Sequence, residues 1–391
     1  MYSVRQNRVV SGLVKERVVL CAPGFPASRE DSDKPFLFTH AKALLSAGLA
    51  VTVICPSVPG LAGRQMVEGI EVVRTRYAPR RFETLASTGA MYREARGFRA
   101  LLVIPMVASM VLMSIREARK IKPVAIHGHW WIPGGLIAVV SASIVRTKSV
   151  VHLHGSDAAI TSGRAMRWLG RRVMRAATHR LAVSEPLADW GMALCSRHVA
   201  VCPMPIRTVL DKKITETSKE GPLLGVGRLV HEKGFDVLIE AVSMLEKWER
   251  PEVVIIGSGP EDASLSAQAD LLGVDLHLLG SLPPKSVADW YAKSSVVIVP
   301  SRREGFGLVA AEAAAASRAV IGTRVGGIPE VIRHGVSGLL IEPDNPLELK
   351  NALKTIQVDW GLAGPESVKN LSEKFHSDYL LDLYESDLAQ S

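Results

Sequence analysis

The chain has 391 residues, 47 Lys and Arg against 39 Asp and Glu, with 47% hydrophobic and 5% aromatic content. That balance supports large apolar cores and excludes a disordered or collagen-like chain, and the length fits two domains or three. Cys21, Cys55, Cys195 and Cys202 are scattered without a CxxC pair, so they read as buried thiols in a reducing compartment, not as bridges or zinc ligands.

The charge is unevenly divided. Residues 1–210 hold 29 Lys and Arg against 12 Asp and Glu, a net +17, whereas residues 211–391 hold 18 against 27, a net −9. The two halves should therefore meet different partners. On charge alone the basic half suits anionic lipid headgroups, a phosphorylated acceptor or nucleic acid; a solvated basic face without a partner is the plain alternative.

In chain order, the first sixteen residues are polar and basic, with no apolar core or cleavage pattern, so no secretory signal is expected. "RVVLCAP" (17–23) reads as a strand, "FLFTHAKALLSAG" (36–48) as a helix stopped by glycine, and "AVTVICP" (50–56) as a second strand. The run "ALLVIPMVASMVLMSI" (100–115) is shorter than a bilayer span of ~20 residues and carries Pro105, which predicts a buried helix, with a membrane-dipping segment as the alternative. "VAIHGHW" (124–130), "SVVHLHGSD" (149–157), "HRLAVSE" (179–185) and "HVAVCPMP" (198–205) complete a series of strands separated by helical stretches. Such alternation implies parallel βαβ units.

A polar stretch ending in Gly221-Pro222 predicts a linker over 209–221. A second α/β series follows over 222–365: "LLGVGRL", "EVVIIGSG", "DLHLLGSL", "SVVIVPS", "AVIGTRVGG" and "GLLIEP". The expected fold class is α/β, with two Rossmann-like, doubly wound parallel-sheet domains (1–208 and 222–365) facing each other across a cleft. The last segment, 366–391, is expected to pack back toward the first domain. Ligands of such sheets bind outside the carboxyl ends of the strands.

The chemistry-bearing motifs fall after predicted strands. In "GVGRLVHEKGFD", Arg228 and Lys233 suit a diphosphate, one as a planar fork and the other as a point charge. In "PSRREGFGLVAAE", Glu304 sits on a turn whose Gly305 and Gly307 let main-chain N–H groups approach a ligand, and the helix that follows offers its N-terminus to phosphate. Glu304 and Glu312 are each able to accept from vicinal hydroxyls, one pair on a sugar and one on a ribose. Glu312 as a mere solvated helix residue is the plainer reading, set against its position in the uncharged run "GLVAAEAAAA". In "HLHGSD", His154 at a strand end is expected to face the cleft and contact a ligand, with a satisfied structural histidine as the plainer alternative. "HGHWWIPGG" has two histidines but no carboxylate or cysteine nearby, so a packed, hydrogen-bonded loop is expected instead of a metal site. After HGSD, Arg164, Arg167, Arg171 and Arg175 recur at helical spacing beside Trp168, Leu169, Met174 and Ala176, as in a helix drawn to an anionic membrane.

Taken together, "EGFGLVAAE", "GRLVHEKG" and "HGSD", in this order, resemble the nucleotide-sugar glycosyltransferases of the GT-B fold. More narrowly they resemble the large retaining family of glycogen, sucrose and mannosyl transferases (glycosyltransferase family 4-like). "AIHGHWWIPGG", "GSGPED" and "TRVGGIPEVIRHGVSGLLIEP" are similar to family segments, so the likeness spans nearly the whole chain.

The resemblance implies a retaining, metal-independent hexosyl-type transferase with no cofactor beyond its nucleotide-sugar co-substrate. His154, Glu304, Arg228 and Lys233 would be catalytic. Gly305, Phe306, Gly307, Leu308, Glu312, Ser258 and Gly280 would line the donor site, with Glu312 on the ribose. The donor would be a UDP- or GDP-sugar and the acceptor a lipid-linked or envelope glycan, or a small soluble hydroxyl compound. A cytoplasmic enzyme is expected, peripheral on the inner face of the membrane through Arg164, Arg167, Arg171 and Arg175. The chain departs from the family at "SREDSDKPF" (28–36), which lacks the usual glycines and places Glu30, Asp31 and Asp33 toward the acceptor, and at "PMP" (203–205).

Four other classes fit the motifs less well. A GT-B epimerase or a non-catalytic sugar-nucleotide binder would not need both glutamates. A nicotinamide dehydrogenase fits poorly, because "GSGPED" is an incomplete fingerprint placed mid-domain. No nucleic-acid partner is expected, since the basic half has no recognisable binding module or aromatic series.

Overall fold

The computed structural model describes residues 16–28, 31, 34–85, 97–161, 163–206 and 220–386. Two twisted sheets account for the strands. In the first, β1 (Arg17–Cys21), β2 (Ala50–Pro56), β3 (Gly63–Val67), β4 (Ile70–Thr75), β5 (Ala125–His129), β6 (Lys148–Leu153), β7 (His179–Ala182) and β8 (Ala200–Val201) run in the order β3-β4-β2-β1-β5-β6-β7-β8. Only β3–β4 is antiparallel. This hairpin is absent from the sequence reading; its signal was the Glu68-Gly69 pair, both at positive φ (46° and 88°), which a tight two-residue connection requires.

The second sheet is wholly parallel: β9 (Leu223–Val226), β10 (Val253–Ile256), β11 (Leu276–Leu278), β12 (Val296–Val299), β13 (Ala319–Thr323) and β14 (Gly338–Ile341), in the order β11-β10-β9-β12-β13-β14. Its strands β10 and β12 are short, apolar and buried on both faces, the pattern that parallel pairing between helix layers selects. Strand order reverses between β1 and β5 in the first sheet and between β9 and β12 in the second. At such reversals adjacent loops diverge and leave a crevice.

Helices α1 (Pro35–Ser46), α2 (Val103–Ile121), α3 (Leu136–Val145), α4 (Arg164–Ala176) and α5 (Glu185–Cys195) cover the first sheet, and α6 (Leu308–Ala315) follows β12. The last helix, α7 (Glu373–Glu385), packs on α1, and its Leu380 and Tyr384 are buried in the core that holds Leu37, Leu44 and Val53. All four cysteines are buried free thiols.

One expectation is overturned. The apolar run 100–115 does not form a buried helix: α2 buries Met106, Met110, Ser114, Glu117 and Ala118, while Leu101, Ile104 and Leu112 are 68–70% exposed. Apolar composition sets what a helix is able to bury, but a crossover helix has only one face toward its sheet. The expected 209–221 linker lies, apart from Glu220 and Gly221, outside the described residues, as do Glu30 and Asp33. Asp31 accepts a hydrogen bond from the Ala27 N–H at 2.8 Å and so closes its own loop.

Candidate active site

The loops after β9 and β12, at the reversal of the second sheet, are pressed together main chain to main chain. Gly234 stands at φ 67°, and a Cβ there would lie 2.1 Å from the Pro300 carbonyl oxygen. This contact delivers Lys233 and Glu304, 71 residues apart in sequence, to one spot: Lys233 Nζ donates to Glu304 Oε2 at 2.6 Å, with both side chains largely buried. Glu304 Oε1 also accepts from the Gly305 N–H at 3.1 Å. Arg228 is exposed beside them, and its guanidinium forms no ion pair with the described residues.

The loop is braced by a group that sequence reading missed. Arg302 binds both carboxylate oxygens of Asp236 at 2.7 Å and also reaches Asp344, while the Arg302 and Arg303 N–H groups bond the Glu232 carbonyl. The paired acids raise the Arg302 pKa, with the Asp236 hydrogen bonds as the main cause. Its signal in the sequence was weak, one arginine among two before the glutamate.

Helix α6 starts at Gly307 (φ 99°), and no side chain caps it. Its first-turn N–H groups are therefore available to an anion. One expected donor contact changes character: the Phe306 ring is 5% exposed and lies in the core beneath the turn, so only its main chain is placed to face a ligand. Glu312, half-buried on α6, accepts from the Tyr291 hydroxyl at 3.0 Å. Burial first, and then the nearby Glu312 carboxylate, push the Tyr291 pKa well up, so the phenol remains a donor and orients that carboxylate. Ser258 and Ser281 hydroxyls pair at 2.9 Å, and Gly280 (φ 66°) accepts from the Gly257 N–H at 2.8 Å.

From the first domain, β6 carries His154 to the same place. A Cβ on Gly305 would lie 2.5 Å from the His154 carbonyl oxygen, and one on Gly155 would lie 2.7 Å from Gly305 Cα. Ser184 donates to the Gly305 carbonyl at 2.8 Å, and the Glu185 N–H donates to Glu330 at 2.9 Å. The HGSD turn is shaped by fully buried Asp157, whose two oxygens accept from the Trp131 N–H (2.8 Å) and the His154 N–H (2.6 Å). Burial raises its pKa to about 6 against those two hydrogen bonds.

Behind His154 stands an array that no single segment announces: His129, His152, His127, His40 and His376. His129 Nδ1 pairs with His154 Nε2 at 3.0 Å, and His127 with His152 at 3.3 Å. Tyr384 bonds His127 Nδ1 at 2.6 Å, and His40 bonds His376 at 2.7 Å. Carbonyls only accept, so His152 donates from Nε2 to Cys202 O (2.8 Å) and His376 from Nδ1 to Pro203 O (3.0 Å). It follows that His127 donates to His152 Nδ1, and His40 to His376 Nε2, when the rings are neutral. The readable trace was "HGH" and "HLH" on neighbouring strands, since alternate residues share a face and His129 is in register with His152.

The "HGHWW" loop is thus packed and hydrogen-bonded. Two triplets that share His129 (with His40 and His127, and with His152 and His154) each bring one nitrogen per ring within 4.8 Å of the others, as a metal ligand set could. Most of those nitrogens are engaged ring to ring; His40 Nε2 and His129 Nε2 have no hydrogen-bond partner among the described residues.

The four expected basic residues, Arg164, Arg167, Arg171 and Arg175, are exposed on α4. Arg171 Nε and Arg175 Nε cap the end of α5 through the Leu194 (3.0 Å) and Cys195 (2.9 Å) carbonyls. Met174 is fully buried and supplies no surface, whereas Trp168 is 59% exposed under the Arg172 guanidinium, 5.1 Å from its ring centroid.

Two parallel-sheet domains with polar groups converging between them define the GT-B class of transferase architecture. A sucrose-phosphate synthase structure from Thermosynechococcus elongatus superposes with a TM-score of 0.74 at 18% identity, covering 95% of this chain and 98% of that one. Anabaena HepE in complex with UDP-glucose superposes at 0.68 with 15% identity, over 94% and 98%. The family descriptions "Glycosyl transferase 4-like domain" and "Glycosyl transferases group 1" match residues 39–205 and 207–374. The chain belongs to the GT4-like GT-B glycosyltransferases. Among its relatives, TuaC of Bacillus subtilis (strain 168), named for teichuronic acid biosynthesis, is 29% identical over 84% of this chain and 86% of its own. The D-inositol 3-phosphate glycosyltransferase of Thermobifida fusca is 37% identical over 43% of each.

Proposed function

We propose that this glycosyltransferase moves a hexosyl unit from a nucleoside-diphosphate sugar, with UDP or GDP as the nucleotide, to a hydroxyl acceptor with retention at the anomeric carbon. The observation that carries the reading is the Lys233–Glu304 pair at the sheet reversal, beside unpaired Arg228 and the uncapped start of α6. Arg228, Lys233 and the α6 N–H groups would stabilise the charge growing on the departing diphosphate. In this reading the diphosphate needs no divalent metal. Glu304 orients ring hydroxyls, Glu312 binds the ribose, and His154 approaches the sugar from the other domain. Ser258 and Gly280 lie toward the base.

The acceptor is read as a glycan or lipid-linked hydroxyl at an anionic envelope membrane, with the enzyme on the cytoplasmic face. The basic first domain supports this, as does a relative named for teichuronic acid biosynthesis.

A thermal-shift panel of UDP-, GDP- and ADP-sugars tests the donor site. One class should raise the melting temperature, and Arg228→Ala or Lys233→Ala should remove most of that rise. A full rise in both variants sinks the assignment. The anomer released to a hydroxyl acceptor, read by NMR, decides retention, and unchanged turnover with a chelator in the assay decides the metal.

A further inference from the structure

Helices α2, α3 and α4 lie side by side on one face of the first sheet, as the successive crossovers β4–β5, β5–β6 and β6–β7. Their outward sides are unusually apolar. Leu101, Ile104, Leu112 and Trp168 are 59–70% exposed, and Ile144 is 48% exposed. Pro105 and Ala108 fill the gaps of the α2 stripe, opposite the Met106–Met110–Ser114 face that grips the sheet.

The same outward side is almost purely cationic. Arg99, Arg116, Arg119, Lys120, Arg146, Arg164, Arg167, Arg171, Arg172 and Arg175 are all exposed. Residues 99–121, 136–148 and 164–176 contain a single acid, Glu117, which is buried and bonded to Arg64 at 2.6 Å. A cavity of about 510 Å³ on α4 is lined by Trp168, Arg171, Arg172, Arg175 and Ala176. Because Arg171 and Arg175 hold the α5 carbonyls through Nε, their guanidinium groups are fixed in place while the Nη atoms make no hydrogen bond to the described residues.

We infer that this three-helix face docks on an anionic lipid bilayer, with the α2 stripe immersed in the plane of the interface and the Trp168–arginine cavity seating a lipid phosphate. Apolar stripe and basic flank are the two parts that interfacial helices combine. A bare apolar face would suit a second protein equally, but the exposed cations around it, with buried Glu117 as the one acid in the three helical spans, would repel a second copy and attract acidic headgroups. By length and composition 99–121 is also able to cross a bilayer. Crossing would tear Met106, Met110 and Glu117 from the sheet, so the helix lies flat.

This inference deepens the membrane part of the function proposed above, and its test contains neither donor nor acceptor, so its failure leaves the donor site standing. The full chain is sedimented with phosphatidylcholine vesicles and with vesicles containing phosphatidylglycerol. Binding is expected to the anionic vesicles, weakening with salt, and to be slight on the neutral ones. The surface variant Leu101→Ser/Ile104→Ser/Leu112→Ser and the variant Arg164→Gln/Arg167→Gln/Arg172→Gln should each lower partitioning about tenfold or more. Both should keep the donor-induced melting shift of the parent, which shows them folded. Absence of binding to anionic vesicles overturns the inference. So does an apolar-stripe variant that binds like the parent, or light scattering that shows a dimer dissolved by that variant.

Discussion

Lys233 and Glu304 neutralise each other across 2.6 Å, and in the proposed function a diphosphate would have to share that lysine. Glu304→Gln removes the competing carboxylate, so donor KM should stay level or fall while kcat drops roughly a hundredfold, as expected when an orienting contact is lost. A raised KM with intact kcat would contradict the role. Glu312 is held by the Tyr291 hydroxyl, so Glu312→Gln should raise donor KM about tenfold with kcat nearly unchanged, and Tyr291→Phe should do the same more weakly. Steady-state kinetics over donor concentration separates these outcomes. Asp157 works on the other domain: Asp157→Ala leaves two buried N–H groups unpaired. It should cost about 2 kcal/mol of first-domain stability by denaturant unfolding, and turnover should fall because His154 shifts.

At the level of the elements, the site depends on turns brought within van der Waals contact. Gly155 and Gly305 face each other across the cleft with no room for a methyl group on either. Gly305→Ala should hold the two loops apart, lowering kcat by more than it weakens donor binding, because the groups proposed to hold the diphosphate and ribose lie on the second domain. Turnover set against the donor-induced melting shift reads that split; equal losses in both would place the defect in the donor site. Among the helices, α6 supplies an uncapped N-terminus, whereas α7 supplies His376 and Tyr384 to a core built by the opposite end of the chain.

Over the whole molecule, the histidine array couples the cleft to α7 and gives the fold a pH signature. Burial, and then neighbouring imidazoles, lower the pKa of His40, His127, His129 and His154; burial first lowers His152 to about 4 and His376 to about 3. Unfolded histidines take up protons near pH 6.5. Stability from these depressed groups is therefore complete above that value and is lost as pH falls through it toward 4 and 3. Asp157, raised to about 6, acts in the opposite direction between its ordinary value and 6, but one group opposes six. The melting temperature should fall steeply from pH 7 to pH 5, and His376→Gln should flatten that slope. A flat profile in the parent protein would show that the rings are not buried neutral.

Much of this was legible in the residues. Alternating apolar runs and glycine stops marked twelve of the strands and both sheets, because parallel strands and their crossover helices each carry a local period. Lys233, Glu304 and the His154 turn, which the fold brings together, stood out in the sequence because each follows a strand, where charge and glycine have few purely structural uses. The sequence by itself determined the two α/β units, the charge asymmetry and the types of side chain at the strand ends. Only the tertiary structure decided that Lys233 meets Glu304, that Tyr291 holds Glu312, that six histidines from four separate segments share one array, and that α2 turns its apolar side outward. Those facts depend on which elements become neighbours and which face each helix presents, and long-range packing sets both where no local period records them.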